Sequence, residues 1–376
     1  MDWTLRYKKD LLIIITVFSG LFWQFSCSGQ GFNYKNYKKE LFFVMPFEST
    51  ENKSLVKIED YLPKDYIKDA SKDYTSIVQD VIIRNRKVVF PDFPLFININ
   101  GLTIPSDTEI YFSKNSKLIQ EGVSKERTDL QNIREWYDII RIYNKENIKI
   151  FNAKIVGNRY TNKGKKGEWG AGIGIRNSKN ILIQNCIIEN TWGDGIFVGS
   201  EDGGKSSDIY LKNIQIDYSR RTGIAVTSGE NIHLNNIFIS NIHGTAPHVG
   251  LDLEPSWNKD QLNNIYIKNV KTFNCANYGF TISLDQLSVE AFKSKNVNIY
   301  VDGYTDRSSN YSFGYFINSP NSKYDPVGNI NLKNIFLDNA REKAVKNSKN
   351  RKSIKIYSYN VRTRDNKNTE KDISIK

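Results

Sequence analysis

Cysteine is scarce: 376 residues contain three, Cys27, Cys186 and Cys275. So few thiols exclude a disulfide framework, and the chain must bury a core to fold. A basic stripe is also lacking. Lys and Arg number 53 against 41 Asp and Glu, a net +12, but the excess is dispersed along the whole chain. Dispersed charge argues against a nucleic-acid partner and fits a polysaccharide, acidic for instance, or a negative cell surface; a compositional bias accounts for it equally well. Long apolar runs are missing beyond the N-terminus. With 39% hydrophobic and 25% charged residues, the chain is too apolar for wholesale disorder and too polar for a multi-span membrane protein. The L-x-x-L-x-L phrase is absent, which excludes a leucine-rich repeat.

The one apolar run, Leu11 to Phe25, follows Arg6, Lys8 and Lys9 and precedes small residues at Ser26–Gly29. Charged, then apolar, then small is the order of a secretory signal, over residues 1–29. The run is shorter than the ~20 residues that span a bilayer. Phe25-Ser26-Cys27-Ser28 also resembles a bacterial lipobox with Cys27 as the lipidated residue, although Gln24 stands where an aliphatic side chain is usual. An exported protein is expected, secreted, periplasmic or anchored at the surface through that lipid alone.

What is abundant is a repeated phrase: Asn or Asp, then alternating apolar positions. It starts at Asn147, Asn180, Asp208, Asn231, Asn264, Asn296 and Asn329, with Ser353 opening the last copy. A second phrase interleaves with it, Gly-apolar-x-apolar, at Gly172, Gly195, Gly223, Gly250 and Gly279, with Gly314 as a sixth. Alternation with period two means strands, and strands this short bury a face only by stacking coil on coil. Asparagine beside each strand suits left-handed bends and can ladder with its neighbours. The pattern is that of an all-β solenoid, a single-stranded parallel β-helix. Asp73-Tyr74-Thr75 leads into Ile77, Val78, Val81 and Ile82, the spacing of a helix that covers the open end. Four segments result: the signal, an N-terminal extension over 30–69, the solenoid over 70–358, and a polar tail over 359–376 that frays.

These residues resemble the right-handed parallel β-helix proteins of the pectin-lyase-like superfamily. The entry run from the Asp73–Ile82 helix through Pro91 to Leu118-Ile119 is similar to that superfamily's first coils, and Ile148 to Asn158 resembles a coil of polygalacturonase-like relatives. Pro91-Asp92-Phe93-Pro94-Leu95 departs from the Pro-x-Gly-x-Tyr often found there. The resemblance covers residues 70–358. It implies the fold, and leaves open hydrolases, lyases, epimerases and phage tailspikes. The polygalacturonase catalytic phrases have no match here, so their site is not carried over.

Alignment on the glycines turns positions +1 and +3 inward and −2, 0, +2 and +4 outward. The strand at Gly250 then presents His248, Asp252 and Glu254, with Arg221 beside His248 on the coil before and Asn277 on the coil after. Trp169 and Trp192 fall one above the other, next to Glu168 and near Asp194. Carboxylates, cations and indoles on one face fit a groove that degrades polysaccharide. The preferred expectation is a glycoside hydrolase with Asp252 or Glu254 as general acid and the other, or Asp194, as base. His248 and Arg221 would tune them, and Trp169, Trp192, Glu168, Arg176 and Asn277 would bind substrate. That chemistry requires no cofactor. A lyase or epimerase on a uronate glycan would use His248 or Arg221 as base, with Ca²⁺ on Asp194, Asp252 and Glu254 as an option. A non-catalytic glycan-binding surface protein is the third reading. Outward acids also serve simply as solvated surface, the two indoles as a cover for an apolar flank, and the glycines as backbone necessities or as room for a ligand.

Overall fold

The computed structural model describes residues 55–121, 138–162, 168–201, 203–318, 323–349 and 353–375. The proposed signal and Cys27 lie outside these. Among the described residues no helix is long and apolar enough to cross a membrane.

Strands stack in parallel, one coil on the next, into two sheets. The long-strand sheet runs from Val56–Lys57 through Glu146–Phe151, Lys179–Glu189, Ser206–Asp217, Gly229–Ser240 and Leu262–Phe273 to Ile354–Arg364. The short-strand sheet runs from Leu102–Thr103 through Ile173–Arg176, Ile196–Gly199, Thr222–Val226, Val249–Leu253 and Tyr278–Ser283 to Lys343–Lys349. This is a parallel β-helix, as the alternation implies.

Asparagine makes the corners. Asn147, Asn180, Asp208, Asn231 and Asn264 all hold positive φ near 55°, a left-handed bend that Asn and Asp tolerate better than other side chains. A second row, Asn185, Asn213 and Asn236, bends the long strands midway. Their amides ladder between coils: Asn213 Nδ2 donates to Asn185 Oδ1 and Asn236 Nδ2 to Asn213 Oδ1, each at 2.9 Å. The ladder pairs these corner amides with one another while Ile181, Ile209, Ile232 and Ile265 line a continuous interior.

The register corrects two copies of the phrase. Ile265 pairs with Ile299 and Ile330 with Ile356, so Asn298 and Lys355 occupy the phrase position, two residues after Asn296 and Ser353. A slip of two preserves which side chains point inward, so alternation alone does not detect it. Likewise Phe280 pairs with Phe313, which puts Ser312 in the glycine row and Gly314 beside Thr281.

The helix spans Thr75–Arg84 and buries Val78, Val81 and Ile82. Asp73 Oδ1 accepts from Thr75 N at 2.8 Å and fixes its entry. Among the described residues the first strand is Val56–Lys57, and Val56 pairs with Val88, inside the expected extension. The expected fraying tail is also corrected. Residues 359–364 complete the last long strand, and Glu370–Asp372 folds back antiparallel on Arg362–Arg364. Ile375 is buried there, so apolar contact ties down a segment that reads as polar.

Candidate functional site

On the outer face of the short-strand sheet, register places Gly174, Phe197, Ala225, Asp252, Thr281 and Gly314 in one row, one per coil. Small neighbours leave Asp252 at the floor of that face, 4% exposed. Thr281 donates its hydroxyl to Asp252 Oδ1. Burial first, and then the nearby charge of Glu254, push the Asp252 carboxyl up to about 8, against the Thr281 bond and Arg221. Glu254 follows two residues later and is exposed; two residues along a strand separate their Cα atoms by ~6.6 Å.

Asp194 and Arg221 form the neighbouring pair. Arg221 Nη1 lies 3.1 Å from each Asp194 oxygen, and its Nε lies 3.5 Å from the exposed Glu168. Burial raises the Asp194 pKa while Arg221 opposes it. Asp194 in turn holds the Arg221 guanidinium above its ordinary value. Arg221 therefore stays charged and does not serve as a proton acceptor, which corrects its expected role as a lyase base. Asp194, Asp252, Glu254 and Arg221 are close enough to act on one another electrostatically.

Other expected members stand apart. His248 follows Arg221's row in backbone terms, but its φ of 59° turns it to the flank, where Gly244, Arg220 and Arg159 act on it. Asn277 spends its amide on the Pro247 carbonyl at 3.0 Å. Trp192 is 6% exposed beneath the Arg220 guanidinium, whose Cζ lies 4.0 Å from the ring centroid. It is not an open sugar platform; Trp169 is half-buried. Arg176 is buried against Phe197 at 3.8 Å, with Asp138 at 4.0 Å. Gly174 makes room for that Asp138 carboxylate, since a Cβ there would collide with it. Arg176 is thus a buried structural cation rather than a substrate ligand.

The glycine row serves the backbone. A Cβ on Gly223 would strike the interior Ile239 side chain and the Gly250 carbonyl, the latter at 2.5 Å. The empty side therefore faces the coil interior and not a ligand. Among the described residues no group of three His, Cys, Asp or Glu side chains is arranged to hold a metal. The calcium option on Asp194, Asp252 and Glu254 is not supported, because Arg221 already occupies Asp194.

Two features escape the sequence pattern. Trp257, 67% exposed, lies on the loop after the Val249–Leu253 strand and lines a cavity of about 290 Å³ with Gly203, Asn258 and Lys259. Arg159 and Arg220 gather beside His243 and His248 on the opposite, turn side. A separate cavity of about 770 Å³ opens on the long-strand sheet over Asp107, Glu109, Lys149 and Tyr210. Burial there would raise Glu109, but hydrogen bonds from Lys149, Tyr111 and Lys87 pull it down to about 2. A carboxylate so firmly ionised and paired is a poor general acid.

Comparison with known proteins agrees with this architecture. A family model described as the right handed beta helix region matches residues 97–251. The uncharacterized protein YclG of Bacillus subtilis (strain 168) is 30% identical over 133 residues, covering 31% of this chain and 23% of its own length. The chain spans about a quarter of the length of the curated relatives it matches. A family 28 exopolygalacturonase of Yersinia enterocolitica superposes with a TM-score of 0.55 at 11% identity, over 81% of this chain and 68% of that one. A 1,3-α-1,4-β-D-galactose-4-sulfate-3,6-anhydro-D-galactose-2-sulfate 4 galactohydrolase gives a TM-score of 0.52 at 12% identity, over 90% and 92%. With parallel strands stacked coil on coil through the matched region, the chain is a right-handed parallel β-helix.

Proposed function

We propose that the chain is an exported glycan-cleaving enzyme, a glycoside hydrolase in which Asp252 is the general acid and Glu254 the base or nucleophile. One observation carries this reading: burial and the charge of Glu254 push the Asp252 carboxyl up to about 8, while Glu254 itself, just past the end of the same strand, is exposed. A buried carboxyl that keeps its proton, set beside a second carboxyl, can divide acid and base work with it. Asp252 delivers its proton to the glycosidic oxygen, and Glu254 activates water or attacks the sugar. Arg221 and Asp194 act on Asp252 in opposite senses, so burial and Glu254 decide its protonation. The two solved structures of the same fold, an exopolygalacturonase and a galactohydrolase by name, support a polysaccharide as the substrate class. The N-terminal signal pattern supports export.

A second reading, eliminative cleavage of a uronate glycan with His248 as base, draws on a different observation. Burial, followed by Arg220 and Arg159, lowers the His248 pKa against its hydrogen bond to Gly244, which leaves a neutral imidazole able to accept a proton.

Incubation with neutral and acidic polysaccharides separates the readings, following reducing ends and absorbance at about 235 nm, where unsaturated uronates formed by proton abstraction absorb. Reducing ends without absorbance, lost in Asp252→Asn, support the hydrolase. Growing absorbance points to elimination, and binding without products to a glycan-binding protein. Full activity in both Asp252→Asn and Glu254→Gln overturns the site.

A further inference from the structure

Four basic side chains gather on the turn side of the short-strand sheet: Arg159, Arg220, His243 and His248. Arg159 reaches along the flank across successive coils. Its Nη1 donates to the Tyr218 carbonyl at 2.7 Å and its Nη2 lies 2.7 Å from His243 Nδ1. Arg220 lies over the buried Trp192 ring, with its Nη1 3.4 Å from the Trp192 carbonyl. Gly244, with φ of 130°, lies between the two arginines: a Cβ there would meet Arg220 Cγ at 2.7 Å and Arg159 Nη2 at 3.3 Å. His248 bonds to the Gly244 backbone.

Backbone carbonyls and aromatic rings therefore position these groups. Glu168, a carboxylate that acts on Arg220, is exposed and also paired to Arg221. The Arg159 and Arg220 guanidiniums, held near each other at partly buried positions, repel, and a bound anion relieves that repulsion. The Trp192 Nε1 is a further buried donor without an acceptor, under the same guanidinium. Guanidinium forks suit planar carboxylates and sulfate oxygens.

We propose that Arg159, Arg220, His243 and His248 form an oxyanion subsite that holds the carboxylate or sulfate-ester group of a glycan. Its placement beside the reacting sugar rests on the catalytic reading above. Consecutive residues diverge there, Arg221 towards Asp194 and Arg220 towards Trp192, so the anionic sugar lies next to the carboxylate pair and not between its members. The subsite makes acidic glycans the preferred substrates.

The chain has three histidines, and the third, His233, is stacked between Tyr210 and Tyr266 on the long-strand sheet. It serves as an internal control. Imidazole resonances of the full chain are followed by NMR while sodium sulfate or sodium glucuronate is added, against sodium chloride at matched ionic strength. Saturable shifts of His243 and His248, without His233 and without an equal chloride effect, are expected. The anion that saturates at lower concentration identifies sulfate ester or carboxylate as the natural group. Arg220→Gln and Arg159→Gln, each with an unchanged His233 resonance, should weaken binding roughly tenfold or more, the loss of one charge-assisted hydrogen bond. Shifts of all three histidines that follow ionic strength, or no saturable shift at all, overturn the subsite. Asp252→Asn keeps the two readings distinct: cleavage retained with saturable shifts overturns the catalytic assignment and leaves the subsite standing, whereas loss of saturation in the wild type overturns the subsite whatever that variant cleaves.

Discussion

Arg221 places one guanidinium nitrogen 3.1 Å from both carboxylate oxygens of Asp194, and both side chains are largely removed from solvent. Removing one partner strands the other charge. Arg221→Gln should cost about 3 kcal/mol of stability, whereas the double replacement Asp194→Asn/Arg221→Gln should cost less than either single change. Thermal unfolding of the three variants checks this, and additive losses would show that the pair is not coupled.

Asp252 should lower stability at neutral pH. In the unfolded chain it ionises near 3.8, and in the folded chain at about 8. Between those values the folded state keeps a proton that the unfolded state has released, so stability falls as pH rises from about 4 to about 8 and levels off above that. Asp252→Asn carries no such penalty. It should be more stable than the wild type at pH 7, on the order of a few kcal/mol, and equal near pH 3. Urea midpoints measured from pH 3 to 9 should diverge with rising pH. Parallel curves would contradict the buried acid.

Gly223→Ala tests the role of the glycine row. With Ile239 and the Gly250 carbonyl in the way, the methyl group should destabilise by about 1–3 kcal/mol through overpacking. If the variant keeps its stability and loses only glycan affinity, the row makes room for ligand after all.

The fold was legible because each coil repeats the same two demands. An inward Ile or Leu must alternate with polar residues, and each corner must tolerate a left-handed bend, which Asn180, Asp208 and Asn231 advertise directly. What stayed hidden was register: the copies at Asn296 and Ser353 slip by two residues and leave the inward face unchanged. In the site, Asp252 and Glu254 follow from strand parity. The partner of Arg221 does not, because Asp194 sits on a turn where parity lapses, and His248 is turned aside by a positive φ. Arg159 and Trp257 lie on turns of unequal length, which carry no period to read.

Trp257 gives the loop side its exposed indole. Trp257→Ala should raise KM several-fold with kcat and thermal stability nearly unchanged, the mark of binding shared equally by ground and transition states. A fall in kcat alone would place the indole nearer the reacting bond than the loop suggests.

The central claim is that Asp252 holds a proton at neutral pH beside Glu254. Carboxyl ¹³C NMR of aspartate-labelled protein, with the Asp252 signal assigned by its absence in Asp252→Asn, measures that proton without any need to know the substrate. A midpoint at about 8 is the expected result. A midpoint near 4 would mean an ordinary ionised aspartate, and the general acid would have to be sought elsewhere.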